Sequence, residues 1–267
     1  MVNIQEDKDM KTITKQSGFT LVEIAIVLVV IGLLLGGILK GQQLINSARV
    51  RNMADQNSGV QAAYFGFIDR YRQIPGDMTP ADACAAIGSA VDPACGGAPT
   101  IGGDRNGRVD TWEEAGAVWA HLSTAGYLNG TFGGVATDSA TYLAGVLTGD
   151  VPGNAFQQPI MLAYTNDYEA GTSTPTIRLS FAFGAGIQPP LLRELDVKLD
   201  DGQAATGVMR PTVDTAVAGE TGDDFAASLI WDGTGGSGPD CVSNAGANNA
   251  SYNVDSDNET CNAVYLY

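Results

Sequence analysis

Histidine is nearly missing from this chain: His121 is the one imidazole in 267 residues, so base chemistry near neutral pH has a single ordinary candidate. It lies between Ala120 and Leu122 in a stretch that reads as a helix, where a partly buried structural role is the simpler reading. GxSxG, Walker, HExxH and supported GxGxxG motifs are absent too. The acid pairs Glu113-Glu114, Asp200-Asp201 and Asp223-Asp224 are sequence neighbours, which seldom face one another, so they read as acidic surface. An enzyme is therefore not expected. Basic residues are scarce beyond residue 72, where 24 acids stand against 6 basic residues. Such a surface repels nucleic acid phosphate and anionic membrane, which excludes nucleic acid as an expected partner. The four cysteines, Cys84, Cys95, Cys241 and Cys261, form no CxxC, which argues against a zinc site. No internal repeat is evident.

What the chain does have is one long apolar run. Between Gly18 and Lys40 lie 21 residues, almost all apolar, enough at about 1.5 Å per helical residue to cross a ~30 Å hydrocarbon core. Glu23 alone breaks the pattern, and an ionised carboxylate there asks for a partner. A secretory signal carries its small-residue cleavage site after the apolar run, whereas here Ser17-Gly18 comes before it. A cut after Gly18 removes a polar leader and leaves the membrane helix at the new N-terminus.

Lys15-Gln-Ser-Gly-Phe-Thr-Leu-Val-Glu23 resembles the class III signal of type IV pilins and pseudopilins, in which a prepilin peptidase cuts after the glycine and methylates the new N-terminus. The resemblance rests on Gly18, Phe19 and Glu23 and on the apolar run behind them, and extends over about residues 15 to 75. It implies processing between Gly18 and Phe19, and pairing of Glu23 with the N-terminal amine of a neighbouring subunit. It also implies a single-pass inner-membrane precursor that passes, with the help of an inner-membrane assembly platform, into a polymer of itself and other pilins. The destination is a cell-surface pilus or, for a pseudopilin of a type II secretion system, a periplasmic pseudopilus. A different class of reading is a membrane-tethered ligand-binding protein that never polymerises. One departure concerns the proline often found about twenty residues beyond the cut: here that place is Lys40, and Gly32, Gly36, Gly37 and Gly41 cluster instead. Their GxxxG spacings permit close helix packing, while each glycine also weakens the helix by roughly 1 kcal/mol.

Beyond Lys40 the helical period continues through Leu44, Ile45, Ala48, Met53, Val60, Ala63, Tyr64, Phe67, Ile68 and Tyr71, an amphipathic stem that Ile74-Pro75-Gly76 stops. Residues 40–72 carry a net charge of +3, so a basic stem joins an acidic head. The expected layout is a leader, 1–18, a transmembrane and assembly helix, 19–40, a stem, 41–73, and a globular head, 74–267. Within the head, residues 76–103 read as a disulfide-stapled loop and Thr111 to Leu128 as a helix capped by Thr111. Pro190 to Leu199 reads as a short helix with proline in its first turn. Tyr142–Leu147, Pro159–Tyr164, Thr176–Phe183 and Phe225–Trp231 read as strands, Val264–Tyr267 as an edge strand, and 233–258 as a long polar loop. The fold class is α+β, a long N-terminal helix packed on a head with an antiparallel sheet. Four cysteines permit three connectivities. Local pairs are favoured, Cys84–Cys95 and Cys241–Cys261, the second resembling the C-terminal disulfide-bounded region of many pilins. Tyr252, Tyr265 and Tyr267 are candidates for an adhesive patch.

The strongest site signal in the head is Gly102-Gly-Asp-Arg-Asn-Gly-Arg-Val-Asp-Thr-Trp-Glu113. With Gly107 as the turn glycine of an EF-hand-like loop, Asp104, Asn106, the Arg108 carbonyl, Asp110 and Glu113 fall at liganding positions, as calcium's demand for about 6 to 8 oxygens requires. Position 1 is Gly102, where an acid is expected. The competing reading is an Asn-Gly turn leading into the next helix, with the acids favourable at its N-terminus. Calcium is the one cofactor the sequence suggests; none is required by the structural role.

Overall fold

The computed structural model describes Gly18 and residues 20–212 and 241–267; the leader, Phe19 and the expected strand Phe225–Trp231 lie outside these. The chain divides into two compact units, Met1–Ile45 and Asn46–Tyr267. The first helix, α1 (Leu21–Tyr71), is unbroken. Its part in the first unit is apolar on every side, and no residue from Leu21 to Lys40 is buried. A helix of that kind is at home only in a core or a membrane. Among the described residues it is the one helix long and apolar enough to span a bilayer. Gly32, Gly36, Gly37 and Gly41 are helical, and a Cβ at any of them would meet nothing within 4 Å. No contact among the described residues requires them.

In the second unit α1 turns amphipathic. Val50, Met53, Asn57, Val60, Ala63, Tyr64 and Phe67 are buried at three-to-four spacing and belong to the head's core. The stripe starts later than its apolar pattern suggests, since Leu44 and Ile45 are 62% and 55% exposed. Arg72 adopts φ 56°, the left-handed conformation with which helices commonly stop, and Pro75 follows. The expected loop 76–103 contains a further short helix, α2 (Pro80–Ala86), capped by Thr79.

α3 (Trp112–Thr124) runs through the centre of the head, with residues 114–122 all buried and Thr111 as its cap. α4 (Ser139–Thr148) occupies the place expected for a strand at Tyr142–Leu147. The reason lies at its ends: the Asp138 carboxylate accepts from the Thr141 amide, Thr141 Oγ1 accepts in return from the Asp138 amide, and Gly149 closes the helix at φ 87°. These caps outweigh the β-like composition between them. α5 (Pro189–Leu199) matches its expectation, with Glu194 and Lys198 paired one turn apart at 3.5 Å.

The sheet is antiparallel, formed by β1 (Met161–Thr165), β2 (Arg178–Ala182), β3 (Met209–Pro211) and β6 (Ala263–Leu266) in the order β1-β2-β6-β3. β4 (Val242–Ser243) and β5 (Ser251–Tyr252) form a separate pair. The C-terminal strand is therefore internal and not an edge: Tyr265 faces Phe181 on one side and Met209 on the other. A chain of hydrogen bonds links α3 and α4 to the residue just before β1, with Trp119 Nε1 donating to Tyr142 Oη at 2.8 Å and Tyr142 donating to the Ile160 carbonyl at 2.7 Å. The disulfides are Cys84–Cys95 and Cys241–Cys261. Two of the three tail tyrosines are spent internally: Tyr252 donates to Asp196 Oδ2 at 2.8 Å, and Tyr267 donates to Asn57 Oδ1 on α1 at 2.7 Å. Tyr265 is half-buried with its ring 5.5 Å from that of Tyr267.

Candidate functional site

Two places carry chemistry, the start of α1 and an acidic loop of the head. At the first, Gly18 is exposed and Thr20 stands as the cap of α1. Glu23 Oε2 accepts from the Thr20 amide at 3.2 Å and from its hydroxyl at 3.1 Å, while Thr20 Oγ1 accepts from the Glu23 amide at 3.2 Å. This is the reciprocal box of a Thr-x-x-Glu helix start, legible in Thr20-Leu-Val-Glu23. The carboxylate that asks for a partner thus finds hydrogen-bond donors in its own first turn. Both donors are neutral, so its charge is not compensated.

At the second place, Thr111 caps α3 and the helix presents Glu114, not Glu113, to the loop. Glu113 is exposed, whereas Glu114 is 1% exposed. Glu114 Oε2 accepts from the Asp110 amide at 2.9 Å and Oε1 from the Asp104 amide at 3.2 Å. Gly103 must be glycine, because a Cβ there would collide with Glu114 Oε1 and lie 2.8 Å from the backbone Cα of Asp77. The loop is tied to the segment after Pro75 by two backbone bonds, Gly103 N to Met78 O at 2.6 Å and Arg105 N to Asp77 O at 2.9 Å. They bring Asp77 beside Asp104 and Glu114, so that one carboxylate oxygen from each lies within 4.8 Å of the others.

Of the expected ligands only Asp104 joins this group. Asn106 instead donates through Nδ2 to Asp110 at 3.1 and 3.2 Å and accepts from the Arg108 amide at 2.9 Å, which is turn chemistry. Glu114 had a signal in Thr111-x-x-Glu114, the same start pattern as at Thr20. Asp77 had none, because it belongs to a different segment. Burial holds the Asp77 carboxyl above its ordinary range, although the amides of Gly107, Asn106 and Arg105 pull the other way. Burial, with the nearby Asp110 carboxylate adding to it against the Asp110 and Asp104 amides, pushes Glu114 up to about 7.

A second acidic group joins Asp196, Asp200 and Asp201. Here burial raises Asp196 to about 6. Asp200 is engaged with the Val208 and Met209 amides, and Asp201 with the Gln203 amide at 2.9 Å and the Thr206 hydroxyl at 2.6 Å. His121 is fully buried, with Nδ1 accepting from the Gly76 amide at 3.0 Å and Nε2 facing the Ile101 carbonyl at 3.4 Å. Burial lowers it to about 4. Both ring nitrogens are committed to the backbone.

Residues 13–39 match the prokaryotic N-terminal methylation motif, the class III prepilin signal of type IV pilins and pseudopilins. The motif supports a pilin-like or pseudopilin precursor, and with the apolar helix behind it fits a membrane-anchored one. The match ends at residue 39 and so leaves the head unassigned. No curated protein and no solved structure matches the chain.

Proposed function

We propose that this chain is a structural, non-enzymatic subunit of a type IV pilus-like filament. It is made as a membrane precursor, cut between Gly18 and Phe19, and polymerised through its N-terminal helix. The observation that carries the reading is a helix apolar on all sides and uncovered from Leu21 to Lys40, placed directly behind the prepilin cut. Lipid covers that surface in the precursor, and neighbouring helices cover it in the filament. The exchange is cheap because both surroundings are apolar, so helix packing and polar pairing decide it. Glu23 sets the register by pairing with the N-terminal amine that the cut creates on a neighbouring subunit. The layout that follows is a leader, 1–18, an assembly helix, 19–40, a stem, 41–73, and a head, 74–267.

The non-enzymatic part draws support from His121, whose two nitrogens face backbone groups inside the core and are not free to take a proton from a substrate. Purification of sheared surface filaments followed by mass spectrometry tests the proposal. The protein should be present in the sheared fraction with Phe19 as its methylated first residue. A retained leader refutes the processing step. Processed protein that stays wholly in the inner membrane refutes polymerisation into a surface filament and leaves the pseudopilin and the membrane-tethered protein.

A further inference from the structure

We propose that Asp77, Asp104 and Glu114 form a calcium site that clamps the loop 101–110 onto the start of α3 and the segment after Pro75. The three carboxylates come from three separate segments, yet one oxygen of each lies within 4.8 Å of the others. Two oxygens bound to one calcium at about 2.4 Å are at most about 4.8 Å apart, so the group fits a single ion.

A second observation is independent of the clustering. Asp77 is 5% exposed, and its Oδ1 is buried with no hydrogen-bond partner. Its Oδ2 accepts from the Gly107 amide at 3.0 Å. Asp92, 3% exposed, by contrast collects the amides of Ala94, Thr100 and Ile101 at 2.6 to 2.9 Å. Asp196 also leaves a buried Oδ1 without a partner, but its Oδ2 accepts from the Tyr252 hydroxyl, and its neighbours Asp200 and Asp201 are engaged with backbone amides and the Thr206 hydroxyl. A buried acceptor left without a donor is costly, and a cation removes that cost.

Among the described residues no side chain forms an ion pair with the cluster: the pairs are Arg72–Asp69, Arg105–Asp82 and Lys198–Glu194. Arg105, the nearest basic residue in the loop, is drawn away to Asp82 at 3.0 Å. The donors are all oxygens, and the loop is closed by hydrogen bonds and lined by Gly102, Gly103 and Gly107 without a rigid octahedral frame. Calcium accepts an irregular set of oxygens more readily than magnesium, which demands near-ideal octahedral geometry.

The test is a titration of the full chain in detergent with calcium alone and, separately, magnesium alone, read by thermal unfolding and by calorimetric binding. Calcium should raise the melting temperature saturably, with half-saturation on the order of 10⁻⁴ M. Magnesium should do so weakly. Asp104 is exposed, so Asp104→Asn keeps the fold; it should leave the calcium-free melting temperature in place and weaken binding by about tenfold or more. Glu114→Gln should abolish the response, and Asp201→Asn should leave it unchanged. The site is overturned by the absence of saturable binding up to about 10 mM calcium, by equal responses to calcium and magnesium, or by unchanged affinity in Asp104→Asn. Loss of the response in Asp201→Asn in place of Asp104→Asn also overturns it, because the ion then sits at Asp196, Asp200 and Asp201.

Discussion

Glu23→Gln separates the first-turn cap that the structure gives this residue from the charge pairing proposed for it above. In the folded chain Glu23 closes a capping box with Thr20 through bonds of 3.1 to 3.2 Å. Glutamine suits that position, since its carbonyl oxygen accepts the same two bonds. The box as a whole contributes about 1 kcal/mol, most of which Glu23→Gln keeps. What the variant loses is the negative charge. If that charge pairs with a neighbour's N-terminal amine, its removal strands an ammonium in a poorly solvated place at a cost of roughly 3 kcal/mol or more. That is about a hundredfold in incorporation at each subunit contact. Thr20→Ala does the reverse, removing the cap at about 1 kcal/mol, roughly a fivefold effect on fraying of the first turn, and keeping the charge. The assay compares sheared and membrane fractions by immunoblot, with N-terminal mass spectrometry of each. Glu23→Gln should be cut and methylated normally yet remain in the membrane, while Thr20→Ala should still yield filaments. Wild-type filament yield from Glu23→Gln refutes the charge-pairing role. Equal defects in both variants show that the cap is what assembly needs.

Two further predictions concern the head. Tyr142→Phe leaves both the Trp119 indole N–H and the Ile160 carbonyl without their buried partner, so chemical denaturation should show a loss of about 2 to 5 kcal/mol; a loss under about 1 kcal/mol would mean that water replaces the hydroxyl. His121 is held at about 4, against 6.5 for the free side chain, because it is buried and its Nδ1 must accept from the Gly76 amide. With the folded value depressed, the unfolded chain takes up the proton first as pH falls. This group's stabilising contribution is therefore intact above about pH 6.5 and declines from there to pH 4, by roughly 3 kcal/mol in all. The buried acids Asp77, Glu114 and Asp196 act in the opposite sense, so the measurement is the difference in unfolding free energy between wild type and His121→Asn across that range. Parallel pH profiles would refute the assignment.

Local chemistry was written plainly in the chain. The prepilin signal, the apolar run, the stem's three-to-four period, the Thr111 cap and the proline-started α5 each depend on residues within a few positions of one another, and each stands where its pattern puts it, except that the stem's buried stripe begins only at Val50. Errors arose where local signals competed. Tyr142–Leu147 has strand-like composition, but Asp138, Thr141 and Gly149 cap it as a helix. At the acidic loop the EF-hand register selects Glu113, whereas the helix start at Thr111 turns Glu114 inward. Thr111-x-x-Glu114 was legible but the calcium register obscured it.

By itself, then, the sequence determined the parts that nearest neighbours control: a membrane-length helix behind the prepilin signal, its first-turn box, and the helices α3 and α5 of the head. Tertiary structure alone decided which acids meet and where the C-terminal strand lies. Asp77 reaches Asp104 and Glu114 only because Gly103 and Arg105 donate to the backbone of Met78 and Asp77. β6 is internal only because strands distant in sequence pair along both of its edges. Those arrangements depend on satisfying backbone hydrogen bonds and burying apolar surface over the whole head at once, and no local spacing encodes that requirement.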